Sequence, residues 1–242
     1  DPNNRYCHLR QIILDARRAC GDKKQVILAA YLAPFRLDTP ERALNALRYL
    51  LAACAANGAT NLLFGAENGV LTQGYYVDHS ELTTDQLSVV QSYCDFLVRY
   101  EELLYDPELK DVTTTHIGGD NTEYRCLQRD WSPDGQPGKL WLTIREKENL
   151  KVIQLINLCG ISDDLWNTGK ENPIAQKKIK FHVQIDYRPE GVFIASPDTD
   201  CAVHEVKFNL FRTERGMAIE FLINKVEWWN LIYIKLKRDT FR

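Results

Sequence analysis

Two short apolar runs, each set between amphipathic helices, constrain this chain most. Gln25–Leu32 reads QVILAAYL, a continuous apolar run of strand length bounded by turn signals. Such a run suits a strand buried on both faces, as in a parallel sheet. The second run, Asn61–Phe64, lies within ATNLLFGAENGVLTQGYY (Ala59 to Tyr76) and opens into a Gly-broken loop. Parallel strands need a long crossover, usually a helix, and the flanking sequence supplies helices. Residues 8–19 place apolar groups at Leu9, Ile12, Ile13 and Ala16, the spacing of a one-sided helix, and Gly21–Asp22 stop it. Thr39 reads as an N-cap with Pro40 at N1, starting a helix that runs to about Asn57 before Gly58. Thr83 and Gln86 form a capping box for a helix of about 22 residues, ending near Tyr105 and before Pro107. Up to Asp106 the order is therefore αβαβα, the grammar of a parallel α/β fold. Two parallel strands leave their edges open and their faces in need of cover, so this half is expected to be part of a larger sheet.

After Asp106 the pattern changes to short segments rich in β-formers. Expected strands are Lys139–Arg145, Lys151–Asn157, Lys177–Asp186, Val192–Ala195, Val203–Phe211, Ala218–Ile223 and Leu231–Leu236. Ser132-Pro-Asp-Gly135, Gln136-Pro-Gly138 and Arg188-Pro-Glu-Gly191 carry turn chemistry between them. That spacing predicts an antiparallel β-sandwich. The expected domains are 1–110, an α/β part, and 111–242, an all-β part.

Composition narrows the function classes. The chain is 45% hydrophobic and 26% charged, as a globular protein is, and its net charge of -3 gives no reason to expect nucleic acid. No apolar run approaches the roughly 18 residues of a membrane-crossing helix. The polar start, DPNNRYC, has no signal-peptide pattern, and with no Met at position 1 it is expected to be a processed or trimmed chain. Seven scattered cysteines form no CxxC pair, which disfavours a zinc ribbon or a thioredoxin-type site. His8, His79, His116, His182 and His204 lack metal-ligand spacing. Neither a metal nor a cofactor is expected.

The wording of the chain resembles glycoside hydrolase family 66. SVVQSYCDFLVRYEELLYDPE is similar to a "YYDFLVAYENLL" helix of that family. Gly138-Lys-Leu-Trp141, Val152-Ile-Gln-Leu-Ile-Asn-Leu158, Ala195-Ser-Pro-Asp198 and Trp229-Asn-Leu-Ile-Tyr233 resemble further segments in the same order. The resemblance implies a retaining enzyme on α-1,6-glucan, dextranase-like or glucanotransferase-like, with a TIM (β/α)8 barrel followed by an antiparallel β-sandwich. On that template Gln25–Leu32 and Asn61–Phe64 are the last two barrel strands. The catalytic Asp and Glu then lie upstream, and no residue here inherits either role. The implied partners are the upstream barrel half, as a separate chain or a cleaved segment, and an oligo- or polysaccharide. An extracellular location follows from the resemblance only. The alternative is a non-catalytic carbohydrate-binding or structural protein of the same fold.

Glu67, Asn68, Gln73 and Tyr75, with Tyr76, lie in the loop after the second strand, and Tyr31 ends the first. A sugar site needs carboxylate and amide groups for hydroxyls and an aromatic face for the ring, and this set offers both. The same residues equally suit a loop that hydrogen-bonds itself, with its tyrosines packed against the barrel rim. At this spot the family's pattern is a "GGxHxELGE"-like run; Asn61 stands where the His falls and Leu63 where the first Glu falls. Trp228 and Trp229 read as sandwich core rather than a stacking platform, and Lys177-Lys178-x-Lys180 as a solvated edge.

Overall fold

A computed structural model describes residues 4–74 and 79–238. The chain forms two compact units, one of Asp1–Pro107 with Gly160–Pro173, the other of Glu108–Cys159 with Ile174–Arg242.

In the first unit, α1 (Tyr6–Ala19) buries Tyr6, Leu9 and Ile13, together with Arg10 and Arg17. Ile12, placed by periodicity on the inner stripe, is 41% exposed. The two arginines reach instead toward the end of the next long helix. Arg17 donates to the Gly58 carbonyl at 3.3 Å and to Asp22 at 3.0 Å, and Arg10 donates to the Asn57 side chain at 3.5 Å. Cations at a helix C-terminus satisfy carbonyls that have no intrahelical partner. β1 (Val26–Leu28) and the short α2 (Pro34–Leu37) precede α3 (Pro40–Ala56), which is buried all round from Tyr49 to Ala56. Thr39 caps it by accepting from the Arg42 N–H.

β2 (Ala59–Asn61) pairs with β1 in parallel, Val26 opposite Ala59 and Leu28 opposite Asn61. Both strands are shorter than the apolar runs suggested, and neither is buried on both faces. Val26 and Ala59 are buried, but Ile27 is 66% and Leu62 57% exposed. An antiparallel pair follows where a loop was expected, β3 (Gly69–Leu71) with β4 (His79–Glu81). α4 (Thr84–Arg99) opens on the expected capping box, Thr83 and Gln86 each bonding the other's backbone N–H. The single helix of about 22 residues expected from the capping and stop signals is broken at Tyr100 (φ -111°, ψ 23°), and α5 (Glu101–Leu104) follows. The Tyr100 N–H still reaches the Phe96 carbonyl at 3.1 Å and the ring packs on Phe96.

The second unit contains β5 (Lys110–Asp111), α6 (Thr113–His116), β6 (Tyr124–Leu127), β7 (Trp131–Ser132), β8 (Leu140–Lys147) and β9 (Leu150–Asn157). Then come β10 (Gln176–Ile185), β11 (Arg188–Ala195), β12 (His204–Val206), β13 (Phe208–Thr213), β14 (Gly216–Val226) and β15 (Trp229–Lys237). One sheet runs β12-β11-β15-β9-β8-β5, with β7 alongside β8; the other runs β13-β14-β10-β6. Alternate residues of both sheets interdigitate in one core: Leu142, Ile144, Ile153 and Ile232 from the first, Phe181, Val183, Ile219 and Phe221 from the second.

Two local expectations change here. Arg188-Pro-Glu-Gly191 is not a turn but the start of β11, with a bulge between Pro189 and Gly191. β12 pairs only with Val192–Ile194, so Pro189 sits where no neighbour on that side needs its missing N–H. The run Val203–Phe211 is not one strand either. It changes sheets at Lys207, β12 pairing with β11 and β13 with β14. Trp228 and Trp229 are buried and offer no stacking platform, but neither lies in the core between the sheets: Ile232, Ile234 and Leu236 of β15 point into it, which sets Trp229 on the opposite face, its indole N–H donating to Gln154 Oε1 at 2.8 Å.

Candidate functional site

The loop expected to carry the site is a tight β-hairpin. Leu71 N–H bonds the Leu63 carbonyl at 2.8 Å, Gly65 N–H the Gly69 carbonyl at 2.8 Å, and Gly69 N–H the Ala66 carbonyl at 2.9 Å. Glu67 and Asn68 are its two turn residues, both left-handed, with φ +51° and +63°. Positive φ at both central positions defines a type I′ turn, the connection that matches strand twist. Asn suits such a position; Glu pays about 1 kcal/mol for it. Both side chains stand exposed at the hairpin tip.

At the base of the same hairpin lies Tyr31. The chain beyond β1 is tied to it by the Leu32 N–H, which bonds the Leu71 carbonyl at 3.1 Å. The Tyr31 ring lies against Gly74, where an added Cβ would stand 3.0 Å from a ring carbon and push the ring back by a few tenths of an ångström. Gln73, half-buried, adjoins this contact. Glu67 and Asn68 thus mark the tip, and Gln73 and Tyr31 the base. Tyr75 and Tyr76 lie outside the described residues. Asn61 serves the fold: its side-chain amide donates to the Ala30 carbonyl at 3.1 Å and accepts from the Ala30 N–H at 2.8 Å, adding a rung to the β1–β2 ladder. Leu63 is fully buried.

The sequence reading missed a polar knot in Gly160–Pro173. The Lys170 ammonium is wholly buried and donates to Asp163 Oδ1 at 2.8 Å, the Thr168 carbonyl at 3.2 Å, the Leu165 carbonyl and the Thr168 hydroxyl. It also lies 5.9 Å from the centre of the Tyr6 ring. Burial lowers its pKa, and Asp163 opposes that shift. Beside it, Arg42 donates to the Gly169 carbonyl at 2.8 Å, Glu171 at 3.0 Å and Asp38 at 3.2 Å. An added Cβ at Gly169 would fall 2.0 Å from the Asp38 carboxylate. The Asp, Asn, Thr and Gly of ISDDLWNTGKENP signal turns, but local chemistry carries no sign of the distant partners Tyr6 and Arg42.

Two carboxylates around Arg42 are shifted away from proton donation. The Thr39 N–H and Arg42 hold Asp38 below the ordinary carboxylate range. Burial would raise Glu171, but its own backbone N–H and Arg42 outweigh this and leave it lowered. A general acid needs the opposite shift. Among the described residues, no group of three His, Cys, Asp or Glu side chains is placed to hold a metal ion.

Residues 1–233 match the sequence profile of Glycosyl hydrolase family 66. The chain belongs to this family. A cycloisomaltooligosaccharide glucanotransferase of Niallia circulans is 28% identical over 199 residues, covering 79% of this chain and 20% of that protein. A second Niallia circulans protein of the same name is 26% identical over 195 residues, covering 79% and 19%. The chain therefore spans about a fifth of the length of these family 66 relatives. In solved structures, a Paenibacillus sp. cycloisomaltooligosaccharide glucanotransferase complexed with cycloisomaltoheptaose matches with a TM-score of 0.69 at 23% identity, covering 78% of this chain and 27% of that one. At that identity the likeness establishes the fold: helices and a short parallel pair with mainly antiparallel sheets, as in the family 66 glucanotransferase.

Proposed function

We propose that this chain is the C-terminal portion of a retaining family 66 enzyme acting on α-1,6-glucan. In this reading β1 and β2 are the last strands of a (β/α)8 barrel, residues 1–110 close that barrel, and residues 111–242, apart from the excursion 160–173 that joins the first unit, form the sandwich after it. The observation that carries it is the parallel pair β1–β2. Among the described residues no further strand flanks it, and it leaves Ile27 66% and Leu62 57% exposed. A parallel sheet is stable when both faces are covered, so this pair suits a sheet completed by strands from elsewhere. The chain's span of about a fifth of its relatives fits the same reading.

The nucleophile and the acid/base, two carboxyl groups about 5 Å apart in retaining enzymes, then belong to the upstream part, on a separate chain or a cleaved segment. This chain contributes one wall of the glucan site: Tyr31 as an aromatic face, with Gln73, Tyr75, Glu67 and Asn68 offered to sugar hydroxyls. The test is to combine the chain with an upstream family 66 segment and assay dextran for new reducing ends or cyclic products. Activity from the mixture and from neither part alone supports the proposal; a chain that never associates with such a segment overturns it.

A second reading, a non-catalytic carbohydrate-binding or structural protein, draws on Asn61 and Leu63. One is committed to the Ala30 backbone and the other is buried, so neither is presented to a ligand. An association that forms but leaves dextran intact, with the upstream carboxyl pair in place, favours it.

A further inference from the structure

The outer face of the β13-β14-β10-β6 sheet carries a cleft that the reading above does not use. Strand alternation builds it: Phe181, Val183 and Ile185 of β10 enter the core, which leaves His182 and Gln184 facing out. Register sets Arg125 of β6 opposite His182. From the other side Phe211 of β13 meets the His182 ring, centroids 4.9 Å apart and planes at 59°, forming an aromatic corner. Thr122 ties the rim together, its hydroxyl accepting from Gln184 at 2.8 Å and Arg215 at 3.1 Å. The β13–β14 turn adds the Glu214 carboxylate. The cavity holds about 230 Å³. Drug-sized ligands fill about 300 to 1,000 Å³, so this one suits a single small ring.

Its polar groups are of both kinds. Arg125, which no described side chain pairs with, and Arg215 donate; Glu214 accepts, and Glu220 stands behind His182 at 2.7 Å. An anion would meet these carboxylates as well as the arginines. A polyhydroxyl ring is donor and acceptor at once, and its apolar face suits an aromatic corner. We infer that the cleft is a second carbohydrate site, seating one neutral pyranose ring of a glucan against Phe211 and His182, with Arg125, Gln184 and Glu214 at its hydroxyls. The ligand class rests on the proposed function; the location does not.

The test is affinity electrophoresis of the full chain in gels containing neutral dextran. The wild-type chain is expected to be retarded. Arg125→Ala, an exposed change that leaves the fold intact, weakens the apparent affinity about tenfold, the equivalent of one charge-assisted hydrogen bond. Phe211→Ala weakens it similarly, with an unchanged thermal midpoint as the check on folding. No retardation of the wild type overturns the inference, as does wild-type retardation in both variants. Stronger retardation by dextran sulfate than by dextran overturns it in favour of an anion site. Loss in Tyr31→Ala but not in Arg125→Ala assigns the sugar to the hairpin site, sinking the second site and leaving the proposed function standing. Loss in Arg125→Ala and Phe211→Ala with binding kept in Tyr31→Ala supports the second site, even if no activity is recovered with an upstream segment.

Discussion

The two units are stabilised by different means. The sandwich has strands of up to 11 residues around one continuous apolar core. The first unit has three-residue strands in two-stranded sheets, exposed Ile27 and Leu62, and a segment from far along the chain held by Lys170, Arg42 and Asn45. A core of interdigitating alkyl and aromatic groups is non-directional and tolerant. A buried ammonium with four oxygen partners is directional, and losing one member strands the rest. The contrast predicts that the sandwich is sensitive to volume and the first unit to charge.

The largest effect tests the sandwich. Phe181→Ala removes a ring stacked on Phe221 at 5.5 Å in the core, and is expected to cost about 3 to 5 kcal/mol. Denaturant unfolding measures it, and a loss below about 1 kcal/mol would break the contrast, since it implies a loosely packed core. Lys170→Met keeps the stem but removes the buried donor shared by Asp163, the Leu165 and Thr168 carbonyls and the Thr168 hydroxyl, for an expected loss of about 3 kcal/mol. Hydrogen exchange should localise that loss to 160–173 and α3, leaving β10 and β14 protected. Equal loosening of both units would mean that they unfold as one.

Acidification sharpens the comparison further. Asp38 and Glu171 both have lowered pKa values in the fold, Asp38 through the Thr39 N–H and Arg42, and Glu171, against its burial, through its own backbone N–H and Arg42. Such groups contribute stability above their unfolded values, near pH 4, and lose it as pH falls through the lower folded ones. Below about pH 4 the amides around Gly169 and Glu171 should therefore exchange faster before those of the sandwich core do. In the sandwich, the lowered carboxylates Asp200 and Glu220 lie on its surface, paired with His204 and with His182 and Lys180. The smallest effect is a gain. Glu67→Gly relieves the left-handed strain at the hairpin tip and should stabilise the first unit by up to about 1 kcal/mol, read as a higher thermal midpoint. A destabilised Glu67→Gly would mean that the Glu67 side chain holds the hairpin.

What the sequence revealed follows the same division. Helices α3 and α4 were legible to the residue at their starts, because Thr39-Pro40 and Thr83/Gln86 act within one turn. Most sandwich strands were legible because alternation acts within a strand. The hairpin that leads into β3 was not: its central turn residues are Glu67 and Asn68, so the Asn68-Gly69 pair that would signal a hairpin stands one position too late. The switch at Lys207 was hidden because β-formers continue on both sides of it. Lys170 looked like any lysine, since burial is set by partners over a hundred residues away in sequence. Of the candidate site, Tyr31 and the loop were found from position relative to strands, whereas the cleft at Arg125 and His182 depends on register between β6 and β10.

The excursion Gly160–Pro173 has a consequence for how the molecule is made. The chain passes between the units at three points, after Pro107, Cys159 and Pro173. Domains emerging from a ribosome usually fold in order, N-terminal first. Here the first unit cannot be finished when its own stretch has left the ribosome. Its last fourteen residues follow only after β8 and β9 have been synthesised, so Lys170 acts as a late latch on a half-folded nascent chain.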